Sequence, residues 1–210
     1  RFLTTVHGPY SCGGLKRRYN VVMARGERVV AISNFIADYL EANYGIAPPQ
    51  VQVIHRGVDT AVFDPDAVGA PRLIRLAEEW RLREDRPVVL MPGRLTRWKG
   101  QLVLIEALAR LGTKDFTCVV VGSDQGRSGY RREIEGAVAR LGLGSVVNLV
   151  GDCRDMAAAY MLADVVVNAS TDPEAFGRVI VEAQAMGRPV IATDHGAARE
   201  TMRDGETGWL

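Results

Sequence analysis

Val88-Val89-Leu90-Met91-Pro92, then Gly93-Arg94-Leu95-Thr96-Arg97-Trp98-Lys99-Gly100, then an apolar-periodic run to Leu111 and a second β-rich run at 117–122, is the stretch that decides the fold. A continuous Val/Leu/Met run suits a strand covered on both faces. Followed by a helical pattern and another such run, it reads as one unit of a parallel sheet. The alternation extends outward in both directions. Strands are expected at 28–33, 51–55, 88–92, 117–122, 146–151, 165–170 and 190–193, and helices at 34–44, 99–111, 130–141, 156–163, 177–186 and 197–203. Ser33 reads as the N-cap of helix 34–44 and Gly45 as its stop. A further strand-like run opens the chain at Arg1-Phe2-Leu3-Thr4-Thr5-Val6.

The alternation breaks once, across 59–85, where Asp64-Pro65-Asp66, Gly69 and Pro71 precede a charged amphipathic helix through Glu79-Trp80. This reads as a linker plus one helix joining two α/β domains, 1–64 and 65–210. The first holds two or three strands, too few for a proper sheet, so a truncated domain is expected. The end at Gly208-Trp209-Leu210 reads as the start of another element, and the chain as a piece of a longer one.

Composition narrows the function. With 47% apolar and 24% charged residues, the 210-residue chain is not a disordered one. Lys plus Arg minus Asp plus Glu is 26 − 25, a net charge of +1, which speaks against general nucleic-acid binding. No apolar run approaches the ~18 residues of a membrane span. Cys12, Cys118 and Cys153 are odd in number and widely spaced, as expected of reduced thiols in a cytoplasmic protein.

Ligands of open parallel sheets bind beyond the carboxyl ends of the strands. The first candidate there is the loop 93–100. Its Arg94, Arg97 and Lys99 crowd the start of the expected helix 99–111, where the macrodipole prefers an anion. A diphosphate would resolve the conflict, received by backbone N–H groups, a guanidinium and an ammonium; a solvated basic loop is the alternative. The second is Glu174-Ala175-Phe176-Gly177-Arg178-Val179-Ile180-Val181-Glu182. Glu182 falls among apolar helix residues and needs a partner. A ribose diol could supply it, and so could an i, i+4 pair with Arg178. Asp64-Pro65-Asp66 imitates a metal-binding DxD but lies in the linker, and no metal is expected. Lys16-Arg17-Arg18, after Ser11-Cys12-Gly13-Gly14, reads as a solvated loop and helix face, with a phosphate loop or a membrane-surface patch as alternatives.

Together these motifs resemble the family-4 (group 1) retaining glycosyltransferases of the GT-B fold. The resemblance rests on Gly93-Arg94-Leu95…Lys99-Gly100, on Glu174…Glu182 with Phe176-Gly177, on Ile54-His55-Arg56-Gly57-Val58-Asp59…Phe63 and on Val30-Ala31-Ile32-Ser33. It implies two Rossmann-like domains with helices on both sheet faces, the donor-side domain mostly present and the acceptor-side domain truncated. It implies transfer of a sugar, with retention, from a nucleotide-diphosphate sugar to a glycan or lipid-linked acceptor, on closure of a cleft between the domains. By the same resemblance, Arg94 and Lys99 hold the diphosphate and stabilise the leaving group, and Glu182 binds the ribose. Glu174, Phe176 and Gly177 face donor sugar and phosphates, and His7 is presented to the reaction centre. The loops after Gly122 and around Arg154 flank the nucleoside. No cofactor beyond the sugar nucleotide is implied, and weak peripheral contact with a membrane stays open. A GT-B-like nucleotide-sugar epimerase and a binding fragment without turnover are the competing readings.

Overall fold

A computed structural model describes residues 2–10, 13–46 and 48–210. Arg1, at the start of the first expected strand, and Ser11 and Cys12 lie outside the described residues. The chain divides into two compact units. One comprises the residues up to Gly57 with Pro173–Gly177 and Asp194–Thr201; the other comprises Val58–Asp172, Arg178–Thr193 and Met202–Leu210.

In the first unit, strands β1 (Leu3–Val6), β2 (Arg28–Ala31) and β3 (Val51–Val53) form a parallel sheet in that order. Val6 lies opposite Ala31, and Ala31 opposite Val53. Helix α1 (Gly14–Asn20) buries none of its residues, whereas α2 (Asn34–Tyr44) sinks Ile36 and Leu40 into the core beside Val29 and Ala31. The caps of α2 are those its sequence announces. Ser33 Oγ accepts from the Ile36 amide at 3.1 Å, and the Gly45 amide donates to the Glu41 carbonyl at 3.0 Å.

The second unit begins with helix α3 (Ala70–Trp80) and continues through β4 (Val88–Pro92), α4 (Gln101–Arg110), β5 (Thr117–Val121), α5 (Ser128–Arg140), β6 (Val147–Gly151), α6 (Met156–Met161), β7 (Val165–Asn168), α7 (Arg178–Ala185) and β8 (Val190–Ala192). The four-residue α8 (Ala198–Thr201) belongs to the first unit, and β9 (Gly208–Trp209) returns to the second. The strands are all parallel, in the order β6-β5-β4-β7-β8-β9. The chain thus winds outward one way from β4 and then the other way from β7, which is the doubly wound order with its switch point between those two strands. Leu104, Ile105 and Leu108 of α4 and Ile134 and Val138 of α5 cover Cys118 and Val120 of β5.

Three local features have physical reasons, and the first of them differs from the sequence reading. First, the helix expected from Lys99 starts at Gln101, after a single 3-10 turn at Arg97–Lys99. Gly100 takes φ +74°, and a β-carbon on it would lie 1.8 Å from the Ala169 carbonyl oxygen, so the chain turns there instead of coiling. Second, α3 is anchored within the second unit. Leu76 and Trp80, one turn apart, are buried in the second unit, and Asn148 donates to the Trp80 carbonyl at 3.0 Å. At its other end Arg72 grips Asp155 through Nε (3.0 Å) and Nη2 (2.6 Å), while Asp155 caps α6 by accepting from the Ala158 amide at 3.2 Å. Third, the last two-residue strand is paired, Val190 lying opposite Gly208 and Ile191 opposite Trp209.

The carboxyl ends of three strands are drawn together by backbone bonds. The Gly93 amide donates to the Val121 carbonyl (2.8 Å), the Leu95 amide to the Ser123 carbonyl (3.0 Å) and the Gly122 amide to the Gly151 carbonyl (2.7 Å). The approach is so close that a β-carbon on Gly122 would fall 1.9 Å from the Gly93 carbonyl oxygen.

Gly122→Ala should therefore cost about 2 kcal/mol or more, read by denaturant unfolding. Gly129→Ala, at the start of α5 with nothing within 4 Å, should be neutral or slightly stabilising. Equal effects of the two changes would remove close approach as the constraint.

Asp155 supplies a pH-dependent prediction. The Arg72 hydrogen bonds, aided by the Ala158 amide, hold its carboxyl below the ordinary range. Its contribution is complete above about pH 4, the unfolded value, and is lost as pH falls through the lower folded one. Asp155→Ala should lose about 1 kcal/mol of cap energy at neutral pH, the exposed part of the ion pair adding little. The gap in Tm between wild type and variant should close on acidification below about pH 4; a gap constant with pH would show that the carboxylate charge contributes nothing.

Candidate functional site

Inside the second unit, at the carboxyl ends of β4, β5 and β6, opens a cleft of about 400 Å³. Gly93, Arg94, Gly122, Ser123, Asp152, Cys153, Tyr160 and Glu182 are among its lining residues. Four residues singled out in the sequence, Gly93, Arg94, Gly122 and Glu182, are thus brought into one space from two loops and a helix. A second cavity of about 440 Å³ lies against α4, β7 and β8, but Val103, Leu111, Val167 and Ile191 make it apolar, with no ionisable side chain to hold a phosphate.

The basic loop distributes its three cations. Arg94 is exposed on the rim, and its carbonyl is fixed by the side chain of the fully buried Gln101, whose Nε2 donates to it at 2.9 Å. The Lys99 stem lies along Gly93, its Cδ 3.6 Å from where a β-carbon would stand, and its Nζ sits 4.3 Å from the centre of the Trp98 ring. Arg97 does not join them. It pairs with Glu133 of α5 (Nη2–Oε2 2.6 Å) and stacks 5.3 Å over the Tyr130 ring. Nor do all the loop amides face a ligand: those of Gly93 and Leu95 are committed to β5 and the loop beyond it, and those of Lys99 and Gly100 close the turn on Thr96 and Arg97. An anion here would be held mainly by the Arg94 and Lys99 side chains.

Glu182 is 8% exposed, in the middle of α7. Its partners are present within the protein. The Tyr160 hydroxyl donates to Oε2 at 2.9 Å, and Arg178 donates to Oε1 from Nε (3.1 Å) and Nη2 (2.9 Å). The Arg178 bond is the i, i+4 pair visible in the sequence. The Tyr160 bond is not, because nothing in the spacing of 160 and 182 links a residue of α6 to one of α7. Burial, and then the neighbouring carboxylate, push the Tyr160 phenol well above its ordinary range, so it remains a donor.

From the loop after β6, Asp152 and Cys153 line the cleft, while Arg154 is exposed beyond them. Burial raises the Cys153 thiol, and it pushes that of Cys118, deep in β5, up to about 12. Asp64 caps its own turn, accepting from the Asp66 amide at 2.9 Å. Among the described residues no group of three or more His, Cys, Asp or Glu side chains converges.

The remaining candidates belong to the first unit. His7 follows β1, and its Nδ1 is 3.1 Å from Nη2 of Arg56. Glu174 and Phe176 are buried, and Gly177 turns at φ +84°. Their segment is tied down on both sides: Ser33 Oγ donates to the Ala175 carbonyl at 2.6 Å, and the Ala197 amide to the Glu174 carbonyl at 2.9 Å. Glu200 is a residue to which the sequence reading assigns no role. Its Oε2 accepts from the Asn34 amide (2.7 Å) and faces His55 Nε2 (2.9 Å), and its Oε1 accepts from the Phe35 amide (2.8 Å), so it caps α2 from a distant part of the chain. Burial pushes the Glu200 carboxyl up, but the Phe35 and Asn34 amides, with His55, outweigh it and hold the group below its ordinary range.

Comparison with known proteins gives this geometry its context. Residues 74–210 match the family described as glycosyl transferases group 1, and residues 1–62 match glycosyltransferase family 4. D-inositol 3-phosphate glycosyltransferase of Thermobifida fusca (strain YX) is 33% identical over 202 residues, covering 92% of this chain and 45% of its own length. Among solved structures, a glycosyltransferase from Rickettsia africae ESF-5 is 40% identical with a TM-score of 0.90, over 99% of this chain and 55% of that one. Anabaena Alr3699/HepE in complex with UDP and glucose is 30% identical with a TM-score of 0.89, over 99% and 57%. The chain therefore spans about half the length of the relatives it matches. A doubly wound sheet, a basic loop after its first strand and a carboxylate held at the cleft by α7 are thus features of a chain that belongs to the group 1 glycosyl transferases, with the GT-B type of fold.

Proposed function

We propose that the protein transfers a sugar from a nucleotide-diphosphate sugar to a glycan or lipid-linked acceptor, with retention of configuration and without a metal ion. One observation carries the reading: Arg94 and Glu182 line the same cleft at the strand ends, and the Lys99 stem lies along Gly93 of that lining. A cationic rim and a buried carboxylate suit the two ends of a nucleoside diphosphate, the phosphates and the ribose diol. The UDP and glucose bound by the Anabaena relative support the same ligand class.

In this reaction the bond between the sugar C1 and the diphosphate oxygen breaks, and its electron pair stays on that oxygen. The acceptor hydroxyl oxygen bonds to C1, and its proton passes to the departing diphosphate on the same face. Charge grows on the leaving oxygen, and Arg94 and Lys99 are the fixed cations that stabilise it. His7 and Glu174 keep the catalytic roles the resemblance implies, Glu174 as an electrostatic stabiliser; a covalent sugar trapped on Glu174 would replace this same-face route by a two-step one. The reading places the protein in the cytoplasm. Among the described residues no helix is long and apolar enough to cross a membrane. Peripheral contact would use α1, where Leu15 and Tyr19 are exposed beside Lys16, Arg17 and Arg18.

Thermal unfolding with UDP, GDP, ADP and NAD tests the donor site. A nucleoside diphosphate at ~100 times its Kd should add about 2.7 kcal/mol and raise Tm by several degrees, whereas NAD should not. Arg94→Ala should weaken that binding about tenfold or more, as expected for loss of a hydrogen bond to a charged group. Unchanged affinity would remove Arg94 from the site. Product analysis separates transfer from epimerisation: a glycosylated acceptor supports the proposal, and a free altered sugar overturns it.

A further inference from the structure

The two partners of Glu182 differ in kind. A carboxylate offers about four acceptor positions, and three are used here, one by Tyr160 on Oε2 and two by Arg178 on Oε1. Tyr160 is fully buried, and its ring is braced edge-on by Phe63, with centroids 5.9 Å apart. It cannot leave Oε2 without opening the core. The Arg178 side chain is 65% exposed and sits one helical turn before Glu182, so it can move into water at little cost. Oε1 is filled, yet by a partner that is free to go; Oε2 is held from inside by one that is not.

We infer that Tyr160 is a positioning residue that clamps Oε2 of Glu182 from the interior, and that Arg178 is an exchangeable partner whose place on Oε1 a ribose hydroxyl takes. The inference rests on the donor-site reading above and deepens it. It explains how a carboxylate can be kept oriented in the apolar middle of a helix while still serving a ligand. Without the clamp the carboxylate could turn toward Arg178 and water, and its discrimination for a sugar diol would fade. Without Arg178 the acceptor oxygen would be less occupied, and discrimination would persist or grow.

The test compares UDP, GDP and ADP with their 2′-deoxy counterparts by calorimetric titration, in the intact protein and in Tyr160→Phe, Arg178→Gln and Glu182→Ala. The ratio of the two affinities is a readout that a purely packing role for Tyr160 would not move. The wild type should prefer the ribonucleotide by about tenfold or more, as expected for a hydroxyl bonded to a carboxylate. Glu182→Ala should abolish that preference. Tyr160→Phe should cut it to less than about threefold, and Arg178→Gln should leave it at or above the wild-type value. If Glu182→Ala abolishes the preference and Tyr160→Phe retains it, the positioning role alone falls. If Arg178→Gln abolishes it, the exchange role falls, and this variant decides even where Tyr160→Phe does not fold. If no nucleoside diphosphate binds the wild type, or Glu182→Ala leaves the preference intact, the donor-site reading falls and takes this inference with it.

Discussion

Three backbone hydrogen bonds at the carboxyl ends of β4, β5 and β6 hold the site of the second unit in place. They bring the loops after these strands so close that Gly122 has no room for a side chain against the Gly93 carbonyl. Part of the cleft lining, at Gly93 and Gly122, is therefore paired main chain, which carries no side-chain rotamers to be ordered. Side chains can then be few. The Arg94 backbone is held at the rim because Gln101, fully buried, bonds its carbonyl, and the Lys99 stem lies along Gly93, next to the turn that Gly100 makes before α4 begins.

The same constraint explains how charge is handled. A carboxylate among Val179, Ile180, Val181 and Ala183 would be costly to desolvate alone. It is tolerated at Glu182 because a buried hydroxyl and a guanidinium satisfy it. The three cations of the preceding loop are not equivalent. Arg97 is spent on Glu133 and Tyr130 and fastens the loop to α5, whereas Arg94 stands exposed at the cleft. In the first unit a similar economy appears: Glu200 serves as a cap for the α2 amides that Ser33 leaves unmet, and Ser33 uses its own proton on the Ala175 carbonyl.

Much of this was legible in the residues themselves. The continuous apolar runs of β4, β5 and β7 announce buried parallel strands, since such strands must be apolar on both sides, and Ser33 and Gly45 mark the ends of α2 by local chemistry alone. The site was half legible. Arg94, Gly122 and Glu182 were visible because they stand at strand ends or in apolar company. The orientation of each was not. Arg97 reads like Arg94 until Glu133, more than thirty residues on, is found beside it.

What the sequence by itself determined is therefore whatever depends on neighbours along the chain: the alternation of strands and helices, the caps, the i, i+4 pair of Arg178 and Glu182, and the family motifs. What only the tertiary structure decided is whatever depends on neighbours across it: the joining of Tyr160 to Glu182, of Arg72 to Asp155, and of Glu200 to the start of α2. The physical reason is that periodicity and capping are short-range properties of the backbone, whereas the partner of a buried charge is chosen by which elements the sheet order brings side by side. That order, β6-β5-β4-β7-β8-β9, is settled by packing of whole layers and leaves no local mark on the residues that meet because of it.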